Sequence, residues 1–326
     1  MPKLNMVQAI NLALDEAMAA DENVLVLGED VGVDGGVFRV TDGLHAKYGE
    51  ARVIDTPLAE SGIIGTSIGM AMAGLRPVGE MQFSGFSYLM IPQLEGHAAR
   101  MRSRTQGQFT VPLVMRLPYG GGVRALEHHS ESREVYYAHT PGVKVVIPSG
   151  PRNARALMRA AIDDPDPVVY MEPKRSYRAF KEEVPESNEP VEIGKAEIVQ
   201  EGTDVTVVAW GAMMHTTKKA VAEVESARGA SVELIDLLTI SPLDGNAIAD
   251  SVRKTGRLAI VQEAPRSFGA ASEIIAVVND KALMYLEASV QRVTGYDVVT
   301  PYFGRELHYM PTVGRARRGI EQALDF

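Results

Sequence analysis

The chain has 326 residues, 45% hydrophobic and 23% charged, with no cysteine. At roughly 150 residues per domain this is material for about two full cores, and it excludes a lone small module, a disulfide scaffold, a thiolate metal site and a cysteine nucleophile. The 42 Asp and Glu against 33 Lys and Arg leave a formal charge of −9, which repels phosphate backbones and anionic headgroups, so neither nucleic acid nor a membrane surface is expected as a partner.

Met1 to Val7 has no basic segment followed by an apolar core, and no apolar run approaches about 18 residues, so a cytoplasmic protein without signal peptide or transmembrane helix is expected. Asn5 can cap a helix whose apolar positions Val7, Ile10, Leu14 and Met18 recur at helical spacing. A buried strand Val24 to Leu27 follows, ending at Gly28. Strand Arg52 to Ile54, a small-residue helix Ser61 to Gly74, strand Pro77 to Phe83, a helix Tyr88 to Arg104 and strand Val111 to Leu117 come next. Strand Val143 to Ile147, helix Arg152 to Ile162 and strand Val168 to Met171 complete the series.

From Glu172 to about Glu197 the chain turns charged and Pro-containing, with Lys181-Glu182-Glu183, Pro185 and Pro190, the composition of a linker. A second alternating series follows: Val205 to Trp210, helix Met213 to Ala227, Val232 to Leu237, helix Leu243 to Thr255, Arg257 to Gln262, helix Ala270 to Leu286 and a strand near Val290 to Val293. The expected fold is α/β, with two domains (1–180 and 201–326, joined by 181–200), each a mostly parallel sheet flanked by helices.

Chemistry-bearing residues collect at predicted strand ends, where open α/β sheets place their ligands. Gly120-Gly121-Gly122-Val123-Arg124-Ala125 fits a dinucleotide fingerprint with Ala in third place, against the alternative of a plain glycine-rich surface loop. His128, His129, Ser130 and Glu131 follow; contiguous loop residues rarely form a triad, no Gly-x-Ser-x-Gly elbow is present, and the two histidines lack a recognised metal-ligand spacing. Glu29 lies in Gly28-Glu29-Asp30-Val31-Gly32. Glu60 precedes Ser61-Gly62-Ile63-Ile64-Gly65, so poor in polar side chains that a partly buried carboxylate with raised proton affinity is expected there. Its plainer reading is a first-turn acid favoured by the helix dipole.

Taken together, Gly28-Glu29-Asp30-Val31-Gly32, Gly35-Gly36-Val37-Phe38-Arg39, Asp55-Thr56-Pro57-Leu58-Ala59-Glu60, Gly79-Glu80-Met81-Gln82-Phe83, His129-Ser130-Glu131-Ser132 and His139-Thr140-Pro141-Gly142 resemble one family along the whole chain. Glu172-Pro173-Lys174-Arg175 and Lys254-Thr255-Gly256-Arg257 extend the match. The family is that of E1 β subunits of bacterial 2-oxoacid dehydrogenase complexes. The resemblance implies a transketolase-like fold with a pyrimidine-binding domain for thiamine diphosphate and a C-terminal domain for subunit and E2 contacts. It implies an α2β2 heterotetramer whose α chain holds the diphosphate and Mg²⁺; no Gly-Asp-Gly and no Asn-Asn, the residues of that signature, occur here.

By the same resemblance Glu60 shares a proton with N1′ of the cofactor's aminopyrimidine, so that its 4′ nitrogen can remove the thiazolium C2 proton before the 2-oxo carbonyl is attacked. Gln82 contacts the pyrimidine by a hydrogen bond and Phe86 by packing, unless Phe86 is an ordinary core aromatic; Leu58 adds an apolar contact. His129 binds the 2-oxoacid carboxylate and moves a proton during reductive acylation of lipoyl-E2, unless it is a solvated loop histidine. Glu29 is the second acid near the dimer axis, its role open between a proton path and a cap or ion pair. Leu113, Ala161, Ile162, Asp164 and Asp166 match a structural K⁺ site. Met101 to Gln108 and Arg124 to Glu127 depart from the family pattern near the substrate, leaving pyruvate and branched-chain 2-oxoacids both open. Two other readings stay beside this one: a catalytically impaired assembly platform for E2, and a nicotinamide oxidoreductase built on Gly120 to Ala125.

Overall fold

The computed structural model describes residues 1–185 and 191–325; Pro190 and the middle of the predicted linker lie outside the described residues. Seven strands form the first sheet in the order Thr239–Ser241, Lys144–Val146, Val168–Pro173, Val114–Tyr119, Arg76–Glu80, Val24–Gly28 and Val53–Asp55. All neighbours run parallel except the first pair. Val24–Gly28, Val114–Tyr119 and Val168–Pro173 are buried at every position, as strands covered by helices on both faces must be.

Helix Met6–Ala20 starts where Asn5 predicts: the Asn5 side chain accepts from Gln8 N, and the Gln8 side chain accepts from Asn5 N. Its apolar face, including Ile10, Leu14 and Met18, packs with helix Pro151–Asp163 over one side of the sheet. Helix Glu60–Met72 covers the other side through Ile63, Ile64, Ile68 and Ala71. That second cluster runs on without a break into Val208, Trp210, Ile235 and Ile274 of the second half.

The second sheet has five strands in the order Gln291–Val293, Leu258–Val261, Val205–Ala209, Val232–Asp236 and Glu197–Gln200, parallel except at the last pair. One strand crosses the expected boundary: Thr239–Ser241 leaves the second half to pair with Lys144–Val146. Among the described residues no helix is long and apolar enough to cross a membrane.

Two expectations are corrected, and one further helix is found. The helix Tyr88 to Arg104 is four short pieces, 3-10 turns at 87–90 and 98–100 and α turns at 91–96 and 101–104. Pro92, acceptable only in a first turn, starts a new helix there, and Gly96 ends it. Glu172 does not open a linker: it is fully buried inside a strand, and Lys174 and Tyr177 beyond it are also buried. A charged run reads as solvated only when its charges lack partners, and Glu172 has one in Arg116. The C-terminal helix Val313–Leu324, capped by Thr312, was not anticipated.

Candidate active site

At the carboxyl ends of the first sheet two acids come together. Glu29 directly follows strand Val24–Gly28, and Glu60 is the first residue of helix Glu60–Met72, whose free first-turn N–H groups favour an anion. Glu60 is only 4% exposed, and its carboxylate makes no ion pair or side-chain hydrogen bond with any described residue. Burial, then the charge of Glu60, then that of Asp30 raise the Glu29 carboxyl above its ordinary range. The loops are locked to each other: the Asp55 carboxylate accepts from Gly32 N at 2.6 Å and Val33 N at 3.1 Å, and Thr56 N donates to Gly28 O at 2.9 Å. Thr56 Oγ1 is buried without a partner. Gln82 Nε2 donates to Asp30 Oδ2 at 3.2 Å, which ties the predicted pyrimidine-contact residue to the acids. Leu58 is 77% exposed and takes no part in this chain's own core.

Beside the acids stands an aromatic and imidazole cluster. The His129 ring lies 4.4 Å from Phe83 and 5.2 Å from Phe86, and His128 lies 5.5 Å from Phe86. Gly85 permits this approach, since a Cβ there would fall 1.7 Å from His128 O. Burial first, then His128 and Lys174, lower the proton affinity of His129, with Glu127 opposing them; His129 Nδ1 is buried and unpartnered. Lys174 is buried, donates to His129 O and sits 5.3 Å from the Phe83 ring centre. Burial pulls its ammonium down to about 8.

Beneath both groups Arg116 is fully buried. Its Nε and Nη2 donate to Glu172 at 2.7 and 2.8 Å, its Nη1 to Glu80, and Tyr177 also donates to Glu172. This ion cluster joins the strands that lead into Gln82 and Lys174.

The triple glycine is not a dinucleotide loop. It opens only the three-residue turn Glu127–His129, and its amides are taken: Gly121 N donates to Glu263, and Gly122 N and Arg124 N donate to Glu306 at 2.8 and 2.9 Å. A pyrophosphate needs those donors and would meet two carboxylates instead. Ser130 Oγ is buried without a partner, so no Ser-His pair forms. Among the described residues no three His, Asp or Glu side chains are grouped to hold a metal ion.

The five predicted K⁺ residues lie at the opposite end of the sheet, before strands Val114–Tyr119 and Val168–Pro173. Ala161 and Ile162 lie in the last turn of helix Pro151–Asp163, where unpaired carbonyls favour a cation. Arg76 Nη1 donates to Ile162 O at 2.7 Å and Val168 N to Leu113 O at 2.9 Å, each carbonyl keeping a second lone pair. The Asp164 carboxylate accepts from Lys144 and from Asp166 N, and Asp166 pairs with Arg102. Sequence reasoning assigned no role to Lys174, Glu263 or Glu306. For Glu263 a signal existed, an acid just past the strand Leu258–Val261.

The family described as transketolase, pyrimidine binding domain, matches residues 2–179, and that described as transketolase, C-terminal domain, matches residues 194–314. The pyruvate dehydrogenase E1 component subunit beta of Acholeplasma laidlawii is 55% identical over 94% of each chain, and that of Bacillus subtilis is 47% identical over the full length of both. A solved structure of a split-gene transketolase, an inactive β4 tetramer, superposes with a TM-score of 0.81 over 99% of each chain at 21% identity, a likeness of fold. With two transketolase domains in this order and relatives so similar end to end, the chain belongs to the family of pyruvate dehydrogenase E1 component β subunits.

Proposed function

We propose that the chain is the β half of a thiamine-diphosphate-dependent E1 that oxidatively decarboxylates a 2-oxoacid, pyruvate before branched-chain acids, and passes the acyl group to lipoyl-E2. The observation that carries this is Glu60, a carboxylate buried at a helix N-terminus with no partner of its own beside a second acid. Such a group is stabilised further when a bound molecule supplies a proton or a hydrogen bond. An aminopyrimidine fits that need: Glu60 would hold it at N1′, Gln82 would hydrogen-bond to it, and Phe86 and Leu58 would supply apolar contact. Bound there, thiamine diphosphate supplies the electron sink for loss of CO₂.

The chain's own residues handle protons. Burial and the neighbouring charges of Glu60 and Asp30 make Glu29 hold its proton more tightly than a free carboxyl. His129, its imidazolium disfavoured, stays neutral near pH 7, able to donate to a substrate carboxylate and to exchange a proton during lipoyl acylation. Phe83 and Phe86 pack edge-on against the half-buried imidazole and limit its orientation. The diphosphate and Mg²⁺ fall to an α partner in an α2β2 assembly, with the division between this chain's domains at 181–200 and the cytoplasm as compartment. Leu113, Ala161, Ile162, Asp164 and Asp166 offer oxygens to a structural K⁺; exchange of the assembled protein into Na⁺ buffer is expected to lower its Tm.

The test is co-expression with an α chain carrying Gly-Asp-Gly and Asn-Asn, followed by assays of dye reduction and lipoyl-domain acylation on a panel of 2-oxoacids. Turnover highest on pyruvate is expected; an assembled pair that binds thiamine diphosphate and decarboxylates none of the panel refutes the reading.

A further inference from the structure

We propose that Lys174, Glu263 and Glu306 are positioning residues for His129, and that the triple glycine exists to admit the two carboxylates. The proposal rests on the assignment of His129 to the reaction.

Residues 120–132 cross the boundary between the two halves and carry the histidine on their far limb. Glu263 accepts from Gly121 N and, at 3.0 Å, from Ser132 Oγ, closing the loop at both ends; Gly120 N donates across it to Glu131 O. Glu306, fully buried at the start of helix Glu306–Tyr309, accepts from the amides of Gly122 and Arg124. A Cβ at Gly120 would lie 2.8 Å from Glu263 Oε1, and one at Gly121 2.8 Å from Glu306 Oε1, so any larger residue would push the acids away. Gly120 and Gly122 also hold positive φ.

Lys174 completes the arrangement from the first domain. Its ammonium donates to His129 O, and Glu263 and Glu306 are the charges that support it in its buried place. The loop that carries the histidine is therefore held from two sides: by the amide bonds to Glu263 and Glu306 of the second domain, and by the Lys174 ammonium of the first on the His129 carbonyl. His128, Lys174 and Glu127 are the charged groups that face the imidazole. Charge-assisted hydrogen bonds of this kind are roughly twice as strong as neutral ones and fix a loop in one geometry.

The test uses the assembled α2β2 protein. One readout is lipoyl-domain acylation together with thiamine diphosphate affinity. The other, which needs no turnover, is the pH dependence of His129 modification by diethyl pyrocarbonate, followed by mass spectrometry. Glu306→Gln replaces an acceptor by a donor facing a buried amide and is expected to cut acylation about tenfold or more, with cofactor affinity held within about twofold and partial recovery in Glu306→Asp. Lys174→Gln removes a charge that disfavours the imidazolium and is expected to raise the midpoint of His129 modification, whereas Lys174→Arg leaves it in place. An unmoved midpoint in Lys174→Gln overturns the proposal. So does a Glu306→Gln protein with parental acylation, or one that loses acylation only together with cofactor binding. A parent assembly that decarboxylates no 2-oxoacid sinks the functional reading alone, because the His129 midpoint still decides this one.

Discussion

Glu80 and Glu172 are as deeply buried as Glu29 and Glu60 and lie at the same end of the same sheet, yet the first two share one guanidinium and the last two have no cation among the described residues. Burial alone therefore does not tell what an acid is for. Partnered by Arg116 and Tyr177, Glu80 and Glu172 are satisfied within the chain, and their charge serves to hold three strands at fixed spacing. Left without a counter-charge, Glu29 and Glu60 are costly to the isolated fold, a cost retained only where an outside group takes part.

Four substitutions sharpen or break this contrast. Glu60→Gln is expected to lower 2-oxoacid decarboxylation by the assembled protein about 10²- to 10⁴-fold, the range of a lost acid-base group, while Tm stays level or rises; near-normal turnover would erase the distinction. Arg116→Met should do the reverse, stranding two carboxylates at a cost of about 3–5 kcal/mol in denaturant unfolding. Tyr177→Phe removes one donor from Glu172 and should cost about 1.5–3 kcal/mol, with turnover per folded molecule nearly unchanged. The smallest effect is expected from Glu29→Gln. The folded protein holds the Glu29 proton more tightly than the unfolded chain, so Glu29 costs stability as pH rises above the usual carboxylate range. Glu29→Gln should therefore raise Tm at neutral pH, with the gain vanishing in acid below that range; an equal gain at every pH would mean that titration is not its source.

Local signals carried much of the fold. Asn5 capped the first helix because side chain and amide lie three residues apart, and all-apolar runs such as Val24 to Leu27 became fully buried strands. The two-domain α/β class and the family followed from patterns of that short range together with ordered motifs. What stayed illegible was pairing across distance. Glu263 and Glu306 meet Gly121 and Gly122 across 142 and 184 residues, and no window of sequence joins them. Glu172 read as solvated because Arg116, its partner, is 56 residues away. Helix Val313–Leu324 buries Ala316, Gly319, Ile320 and Ala323, of which Ile320 alone is large, too little to mark an apolar stripe among Arg315, Arg317 and Arg318. In the site, the grouping of Glu29, Glu60, Gln82, Phe86 and His129 rested on resemblance, since their loops approach one another only once the sheet has formed.

The strand Thr239–Ser241, lent by the second half to the edge of the first sheet, has a consequence for how the molecule comes apart. Neither half can keep all its backbone hydrogen bonds without the other, so melting is expected to show one calorimetric transition rather than two. Cleavage in the connecting stretch should then yield two fragments that stay associated and refold only as a complementing pair.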